Sequence, residues 1–201
     1  MHTDHVKLDH SIDVQVASEV YNPSDDSFLI LKITEASPGQ KLLDMGTGSG
    51  IVALHAAKAG AVVTAVDINP NAVQCARSNA LRNDLKMDAI ESDLFEKVPG
   101  LFDVIVFNPP YLPDEDGPPS WMEKAWAGGG DGSDVIIGFL DHAWRHLSPR
   151  GEIYMILSSI GGLRSILRAA RERYEMEMIE EKHMFFESIF AYRLVQKIGS
   201  H

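Results

Sequence analysis

The sequence is poor in cysteine and in positive charge. Cys75 is the single cysteine among 201 residues, so no internal disulfide can form, and no group of residues resembles a structural zinc site. The 18 Lys and Arg residues stand against 29 Asp and Glu, a net charge of −11. A protein that grips long nucleic acid by itself normally shows a basic stripe. We therefore expect no metal site and no direct binding to extended nucleic acid.

Long apolar runs are also missing. No run reaches the ~18 residues needed to span a membrane. Residues 1–10 carry three His and two Asp and no apolar segment, unlike a secretory signal. These two absences predict a cytoplasmic protein that makes no contact with a membrane.

What the sequence does contain is an alternation of strand and helix patterns after residue 40. Asn69 and Pro70 predict the cap and first turn of one helix. The extended stretches 175–185 and 188–196 are too close together for a crossover helix, which predicts a hairpin. The pattern indicates an α/β fold with a seven-stranded, mostly parallel sheet, one antiparallel strand and helices on both faces.

The chain length suits one domain. We expect residues 1–40 to form a short helical cover and residues 41–201 to form the domain itself. Residues 148–151, Ser-Pro-Arg-Gly, predict a turn before a strand that begins at Glu152. Phe185, Phe186 and Phe190 are most simply interpreted as core. The irregular segment 111–133 is too long for a simple connection, and its role stays open.

The strongest local pattern is a glycine-rich turn between a predicted strand and a predicted helix. Gly46, Gly48 and Gly50 follow Asp44 with G-x-G-x-G spacing, which differs from the dinucleotide pattern G-x-G-x-x-G. Glycines there let a ligand approach the backbone closely. A carboxylate beside them suits a cationic group, such as the ammonium or sulfonium of S-adenosylmethionine, better than a pyrophosphate. NAD remains the alternative ligand.

Two further carboxylates follow the next two predicted strands. Asp67 ends the second strand, 17 residues after Gly50, where an acidic side chain can accept hydrogen bonds from ribose hydroxyls. Asp93 follows the third strand and can accept from an adenine amino group, while Leu94 offers a backbone contact or an apolar wall. Ligands of such sheets bind at the carboxyl ends of the strands, so the three carboxylates predict one nucleotide site.

The fourth predicted strand runs directly into Asn108, Pro109, Pro110 and Tyr111. The two prolines stiffen this exit and donate no N–H. The side-chain oxygen of Asn108 and the carbonyl of Pro109 can together accept both hydrogens of an NH₂ group on a planar carbon. Tyr111 can stack on that planar group. This arrangement favours methyl transfer to an sp²-attached nitrogen, with rate supplied by positioning and electrostatics.

These motifs resemble those of the Rossmann-like, class I amino-methyltransferases. Two further segments, residues 20–29 and 125–132, make the chain similar to the HemK-like protein-glutamine methyltransferases of the short archaeal and eukaryal type. The resemblance covers roughly residues 19–197. It implies S-adenosyl-L-methionine as cofactor, S-adenosyl-L-homocysteine as product, and the class I methyltransferase fold.

The resemblance also implies a role for each matching residue. The residues that would contact the cofactor are Ser27, Asp44, Gly46, Gly48, Asp67, Asp93, Leu94 and Asn108. The residues that would be catalytic are Asn108, Pro109, Pro110 and Tyr111. Serine at position 27 replaces the more common threonine and keeps the hydroxyl.

The resemblance further implies a substrate and a partner. The substrate would be the glutamine of the Gly-Gly-Gln motif in a class I release factor. The partner would be a small zinc-binding activator subunit, forming a heterodimer along a sheet edge near residues 87–90.

Other functions stay open at this point. The Asn-Pro-Pro motif is shared with nucleic-acid adenine amino-methyltransferases, which flip their target base into a pocket. The net charge of −11 argues against that function. A lysine or small-molecule methyltransferase would use the same pocket. A non-catalytic scaffold is disfavoured because the glycine-rich turn and Asn108 are both present.

Overall fold

A computed structural model describes residue 6, residues 8–109 and residues 133–197. In this part of the chain, seven strands form one sheet in the order β3-β2-β1-β4-β5-β7-β6. Strand β7 is antiparallel to both of its neighbours, β5 and β6, and the other pairs are parallel. The predicted sheet and hairpin are thus confirmed. The strands are β1 (Lys41–Met45), β2 (Val62–Asp67), β3 (Asp88–Glu91), β4 (Phe102–Phe107), β5 (Leu147–Ser158), β6 (Tyr174–His183) and β7 (Ser188–Gln196).

Helices cover both faces of the sheet. The α-helices among the described residues are α1 (Asp25–Ile33), α2 (Ile51–Lys58), α3 (Pro70–Arg82), α4 (Ser133–Ala143) and α5 (Leu163–Arg173); a 3₁₀ turn, Trp144–His146, follows α4. Successive residues of β4 point to opposite faces. Val104 and Val106 pack with α1, α2 and α3, whereas Ile105 and Phe107 pack with α4 and α5. None of these helices is long and apolar enough to cross a membrane.

The start of α3 follows from the two residues that predicted it. The Asn69 side chain accepts a hydrogen bond from the backbone N–H of Asn71, at 2.9 Å, and Pro70 occupies the first helical turn. An asparagine cap satisfies an N–H that the helix itself cannot, and proline has no N–H to lose there. The helix therefore begins where β2 has just ended, at the edge of the sheet that carries the candidate site.

The segment before the sheet lies along this helix and across the core. The Gln15 backbone N–H donates to the Asn79 side chain at 3.0 Å, and Val16 and Val20 pack near Cys75 of α3. Helix α1 then buries Ile30 completely in the core on the face of the sheet that α1, α2 and α3 cover. The described part of residues 1–40 is thus packed onto the domain. The proposed boundary at residue 40 stays a prediction.

Strand β5 begins at Leu147, before the predicted turn at residues 148–151, so the predicted start of this strand at Glu152 is wrong. Phe102 pairs with Leu147 and Val104 with Glu152, so one residue of β4 faces four residues of β5 between these pairs. Gly151 makes this irregular pairing fit, since a Cβ there would lie 2.9 Å from the Phe102 carbonyl oxygen. The same Cβ would lie 3.1 Å from the Ser148 nitrogen, although an extended strand would separate these two residues by about 10 Å. The chain therefore does turn at residues 148–151, but the turn is a bulge inside β5 rather than a connection before it.

The interpretation of Phe185 and Phe186 as core is also wrong. Their side chains are 92% and 88% exposed, and the two rings meet edge to face at 4.7 Å. They lie at the tip of the hairpin between β6 and β7, which a backbone hydrogen bond from Met184 to Glu187 closes. The tip projects beyond the strands, so its apolar side chains cannot reach either core.

Candidate active site

The glycine-rich turn joins β1 to α2 in a backbone conformation that glycine favours. Gly46, Gly48 and Gly50 have φ values of +66°, +54° and +85°, in the left-handed region where a Cβ causes strain. The Thr47 N–H donates to the Val66 carbonyl at 2.9 Å, which fastens the turn to β2. A Cβ on Gly48 would meet no described atom within 4 Å. The backbone at Gly48 is therefore open to a ligand from that side.

Asp44 lies beneath this turn, at the end of β1. Its Oδ2 accepts hydrogen bonds from the Thr47 hydroxyl at 2.7 Å and from the Ala53 N–H at 3.2 Å. Burial raises the pKa of Asp44 to about 7, the negative charge of Asp67 adds to the increase, and the two hydrogen bonds oppose it. A buried carboxylate of this kind holds the turn in shape and is stabilised by any cation that reaches it.

Asp67, at the end of β2, connects the turn to the start of α3. Its Oδ2 accepts from the Gly48 N–H and its Oδ1 from the Asn69 N–H, both at 2.9 Å. Burial raises the pKa of Asp67 above its usual range, against the effect of these backbone donors. Each carboxylate oxygen can accept more than one hydrogen bond, so the side chain is fixed in place and retains acceptor capacity.

Asp93 and Leu94 follow β3 at the same edge of the sheet. Asp93 is exposed, whereas Leu94 is half-buried with φ at +42° and packs against the core on the face of the sheet that α4 and α5 cover. Because β3, β2 and β1 are adjacent and parallel, the topology brings the acidic residues at their carboxyl ends to one edge, as predicted.

Asn108 and Pro109 leave β4 next to the glycine-rich turn. Strands β1 and β4 are paired, and a Cβ on Gly46 would lie 3.8 Å from the Asn108 carbonyl oxygen. Asn108 is half-buried and Pro109 is buried. The predicted cofactor turn and the first half of the predicted catalytic motif are thus adjacent. Pro110 and Tyr111 lie outside the described residues.

Helix α1 brings a residue to this site that the sequence did not single out. The Asn108 side-chain nitrogen Nδ2 donates to Oδ2 of Asp26 at 2.9 Å. The Oδ1 atom of Asp26 accepts from the Ser27 N–H at 2.7 Å, and the buried Ser27 hydroxyl lies 3.4 Å from the same oxygen. The predicted cofactor residue Ser27 is therefore near the catalytic motif. The signal for Asp26 was its place beside Ser27 in the segment that carries the family resemblance.

A metal centre finds no support in the described residues. Among them, no three His, Cys, Asp or Glu side chains come together as a metal ion would require. The polar groups of the site are instead carboxylates, the hydroxyls of Ser27 and Thr47, backbone amides and the side-chain amide of Asn108.

Comparison with known proteins agrees with these motifs. The family model of the methyltransferase small domain matches residues 24–187. A putative protein N5-glutamine methyltransferase of Methanocaldococcus jannaschii is 39% identical over 154 residues, which cover 75% of this chain and 78% of the relative. Methyltransferase HEMK2 of Mus musculus is 34% identical, over 77% of this chain and 79% of the relative.

A solved structure shares the fold. It is that of the E. cuniculi Mtq2-Trm112 complex, described as responsible for methylation of the translation termination factor eRF1. Its matching chain has a TM-score of 0.66 and 22% identity, over 89% of this chain and 99% of that one. Together with the family match over most of the sequence, these findings show that the chain belongs to the methyltransferase small domain family, as a HemK-like, S-adenosylmethionine-dependent protein-glutamine methyltransferase.

Proposed function

We propose that this chain methylates the side-chain amide nitrogen of the glutamine in the Gly-Gly-Gln motif of a class I release factor. The observation that carries the proposal is the adjacency of the glycine-rich turn and the Asn108–Pro109 exit from β4. A methyl donor held over the turn would face two oxygen acceptors suited to a planar NH₂ group. The names of the relatives agree with an amide nitrogen as acceptor.

The residues at the strand ends fit S-adenosylmethionine. The open approach to Gly48 accommodates the methionine end, and the buried Asp44 favours its positive charge. Asp67, fixed by two backbone donors, would accept from the ribose hydroxyls. Asp93 and Leu94 would hold the adenine, and Ser27 would contact the cofactor from α1. When bound, the cofactor supplies an electrophilic methyl group on a sulfonium.

Asn108 and Pro109 would prepare the substrate nitrogen for attack. An amide nitrogen is a poor nucleophile because its lone pair is delocalised into the carbonyl group. Two acceptors that take both N–H hydrogens favour the geometry in which the lone pair points at the methyl carbon. In the transfer a carbon–nitrogen bond would form as the carbon–sulfur bond breaks, and one N–H proton would leave to water. Pro110 would stiffen the exit, and Tyr111 would stack on the planar amide.

A second part of the proposal concerns β3, the strand at one side of the sheet. Strand β3 ends the described sheet with β2 as its one neighbour, and such an edge attracts another strand unless it is covered. We propose that a small zinc-binding activator subunit covers residues 87–90 and forms a heterodimer with this chain. The E. cuniculi structure that shares this fold is described as a complex of two proteins, which agrees with this arrangement. A release factor as substrate implies the cytoplasm as the place of action.

Transfer of labelled methyl from S-adenosylmethionine to a purified release factor tests the proposal. The assay compares the intact factor with a variant in which the glutamine of the Gly-Gly-Gln motif is replaced, each with and without the activator subunit. We expect label on the intact factor alone. Equal labelling of the substituted factor would assign the activity to a different acceptor.

A further inference from the structure

We infer that Asp26 is a positioning residue that sets which end of the Asn108 amide faces the substrate; the inference rests on the proposed function. Asp26 lies in the first turn of α1, and Asn108 follows β4, 82 residues later. Their side chains meet at 2.9 Å, between Nδ2 of Asn108 and Oδ2 of Asp26. The contact connects the cover segment directly to the proposed acceptor pair.

The chemistry of the two groups decides the orientation. An ionised carboxylate accepts hydrogen bonds and donates none, whereas a side-chain amide donates at its nitrogen and accepts at its oxygen. Beside Asp26, the Asn108 amide must therefore turn its NH₂ group toward the carboxylate. The side-chain oxygen of Asn108 then points away from Asp26, where it can accept a hydrogen bond from the substrate NH₂ group. The opposite orientation would set oxygen against oxygen at Asp26 and present N–H donors to a substrate NH₂ group.

Asp26 is itself held firmly enough to impose this choice. Its Oδ1 accepts from the Ser27 N–H at 2.7 Å and from the Tyr21 hydroxyl at 3.2 Å. The positive end of the α1 dipole favours a carboxylate in this first turn. The helix is anchored by Ile30, which is fully buried, and by Leu29, which is almost fully buried. The carboxylate is thus fixed by its own helix and by the segment just before it.

Asp26→Asn separates orientation from folding, because the two side chains have the same shape. The Ser27 N–H requires an acceptor at the Oδ1 position, so the new amide keeps its oxygen there and turns its NH₂ toward Asn108. Asn108 must then flip to accept that hydrogen bond, which turns its own NH₂ to the substrate. Asp25→Asn is the matched control: it removes the same charge from the same helical turn, but Asp25 is exposed and pairs with Lys182 at 3.1 Å.

Steady-state methylation of the release factor and calorimetric binding of S-adenosylmethionine form the first test. We expect Asp26→Asn to lower kcat about 100-fold, as misplacement of a reacting group does. Cofactor affinity should stay within about tenfold of the wild type. Asp25→Asn should keep the wild-type kcat. An Asp26→Asn kcat equal to that of Asp25→Asn would overturn the inference, and so would a loss of cofactor affinity as large as the loss of kcat.

The exchanged pair, Asp26→Asn with Asn108→Asp, provides a second test. It restores one carboxylate and one amide in contact, with an oxygen acceptor again on the substrate side. We expect its kcat to exceed that of Asp26→Asn by about tenfold, as one corrected hydrogen bond to a charged group allows. A double variant no faster than Asp26→Asn alone would contradict the assigned contact.

A measurement without substrate keeps this inference separate from the proposed function. The ¹⁵N–¹H₂ signal of the Asn108 side chain can be assigned by its loss in Asn108→Ala. In Asp26→Asn this signal should shift and its protons should exchange faster with water, whereas Asp25→Asn should leave it unchanged. A signal unaffected in Asp26→Asn would refute the contact. A shifted signal in a protein that does not methylate the release factor would refute the substrate and leave the orientation supported.

Discussion

Asp44 shows how a single residue can cost stability and serve binding. Its carboxyl group is buried, and its pKa is raised to about 7. A raised carboxyl pKa means that the folded protein binds the proton more tightly than the unfolded chain does. The contribution of protonated Asp44 to the stability of the fold is fully present below about pH 4 and is lost as the pH rises through about 7. A bound cation would offset that loss.

Asp44→Asn should therefore raise the free energy of unfolding of the cofactor-free protein at about pH 8, where the wild type must hold a buried charge. At about pH 4 the variant should gain no such stability over the wild type, because Asp44 is then protonated and as neutral as asparagine. Urea unfolding at the two pH values measures the difference. A variant less stable than the wild type at the higher pH would show that the ionised carboxylate is not a burden on the fold.

Cofactor binding should have the opposite dependence on the same group. The positively charged methionine end favours ionised Asp44, so affinity should fall as the pH drops below about 7, and binding there should release protons. Calorimetry in two buffers of different ionisation enthalpy counts the released protons. Asp44→Asn should bind more weakly and release fewer. Proton uptake by the wild type would be the contrary result.

Asn108→Ala tests the substrate side of the site. We expect turnover to be abolished, because the NH₂ group loses one of its two acceptors. Cofactor affinity should stay within roughly tenfold, or about 1.4 kcal/mol, because Asp44, Asp67 and the glycine-rich turn are unchanged. Rates of methyl transfer and calorimetric affinities give the two numbers. Full activity of this variant would remove Asn108 from the mechanism.

At the scale of elements, the glycine-rich turn combines a left-handed backbone conformation with an open approach for a ligand. Gly48 and Gly100 both have positive φ, +54° and +88°, and at neither would a Cβ meet a described atom within 4 Å. Each substitution by alanine should cost about 1 kcal/mol of stability, from the left-handed conformation alone. Gly48 lies at the carboxyl ends of the strands, whereas Gly100 precedes β4 at the opposite edge.

Gly48→Ala should therefore lower cofactor affinity by at least about tenfold, because its methyl group occupies the ligand's approach. Gly100→Ala should lose similar stability and keep its affinity. Thermal unfolding and calorimetric titration of the two variants separate strain from obstruction. Equal affinities would mean that the cofactor does not approach the backbone at Gly48.

The hairpin between β6 and β7 offers a test of a failed sequence prediction. Apolar composition predicted that Phe185 and Phe186 are core, but their place at the tip exposes both rings. Replacement of both by serine should change the free energy of unfolding by no more than about 0.5 kcal/mol per site, as is usual for surface positions. Chemical denaturation measures this. A loss of several kcal/mol would show that the two rings are buried after all.

Local signals in the sequence predicted much of the site and of the fold. Asp44, Asp67 and Asp93 each lie at or just beyond the end of a strand pattern, and the rule that parallel strands end at one edge was enough to bring them together. Asn69 and Pro70 located the start of α3 for an equally local reason. The start of β5 at Leu147 was missed because Pro149 and Gly151 indicate a turn, and the pairing of Leu147 with Phe102 ahead of that turn depends on the position of β4.

The contacts that the sequence did not predict join residues far apart in the chain. Asp26 looks like an ordinary acid in a first helical turn, and nothing local pairs it with Asn108. Asn79 likewise looks like a polar helix residue, yet its side chain donates to the carbonyls of Ser49 and Gln15 at 2.9 and 2.8 Å. It thereby ties the start of the chain to the glycine-rich turn. Such pairings depend on tertiary packing, which no periodicity encodes.

At the scale of the whole molecule, the account depends on the cofactor turn, the β4 exit and helix α1 acting together on one substrate nitrogen. The most direct test is a crystal structure of the chain with S-adenosylhomocysteine and a peptide containing Gly-Gly-Gln. We predict the glutamine nitrogen at about 2.9 Å from the side-chain oxygen of Asn108 and from the Pro109 carbonyl oxygen. The side-chain nitrogen of Asn108 should at the same time donate its hydrogen bond to Asp26. An Asn108 side chain turned away from the glutamine, or a peptide bound elsewhere, would contradict the central claim.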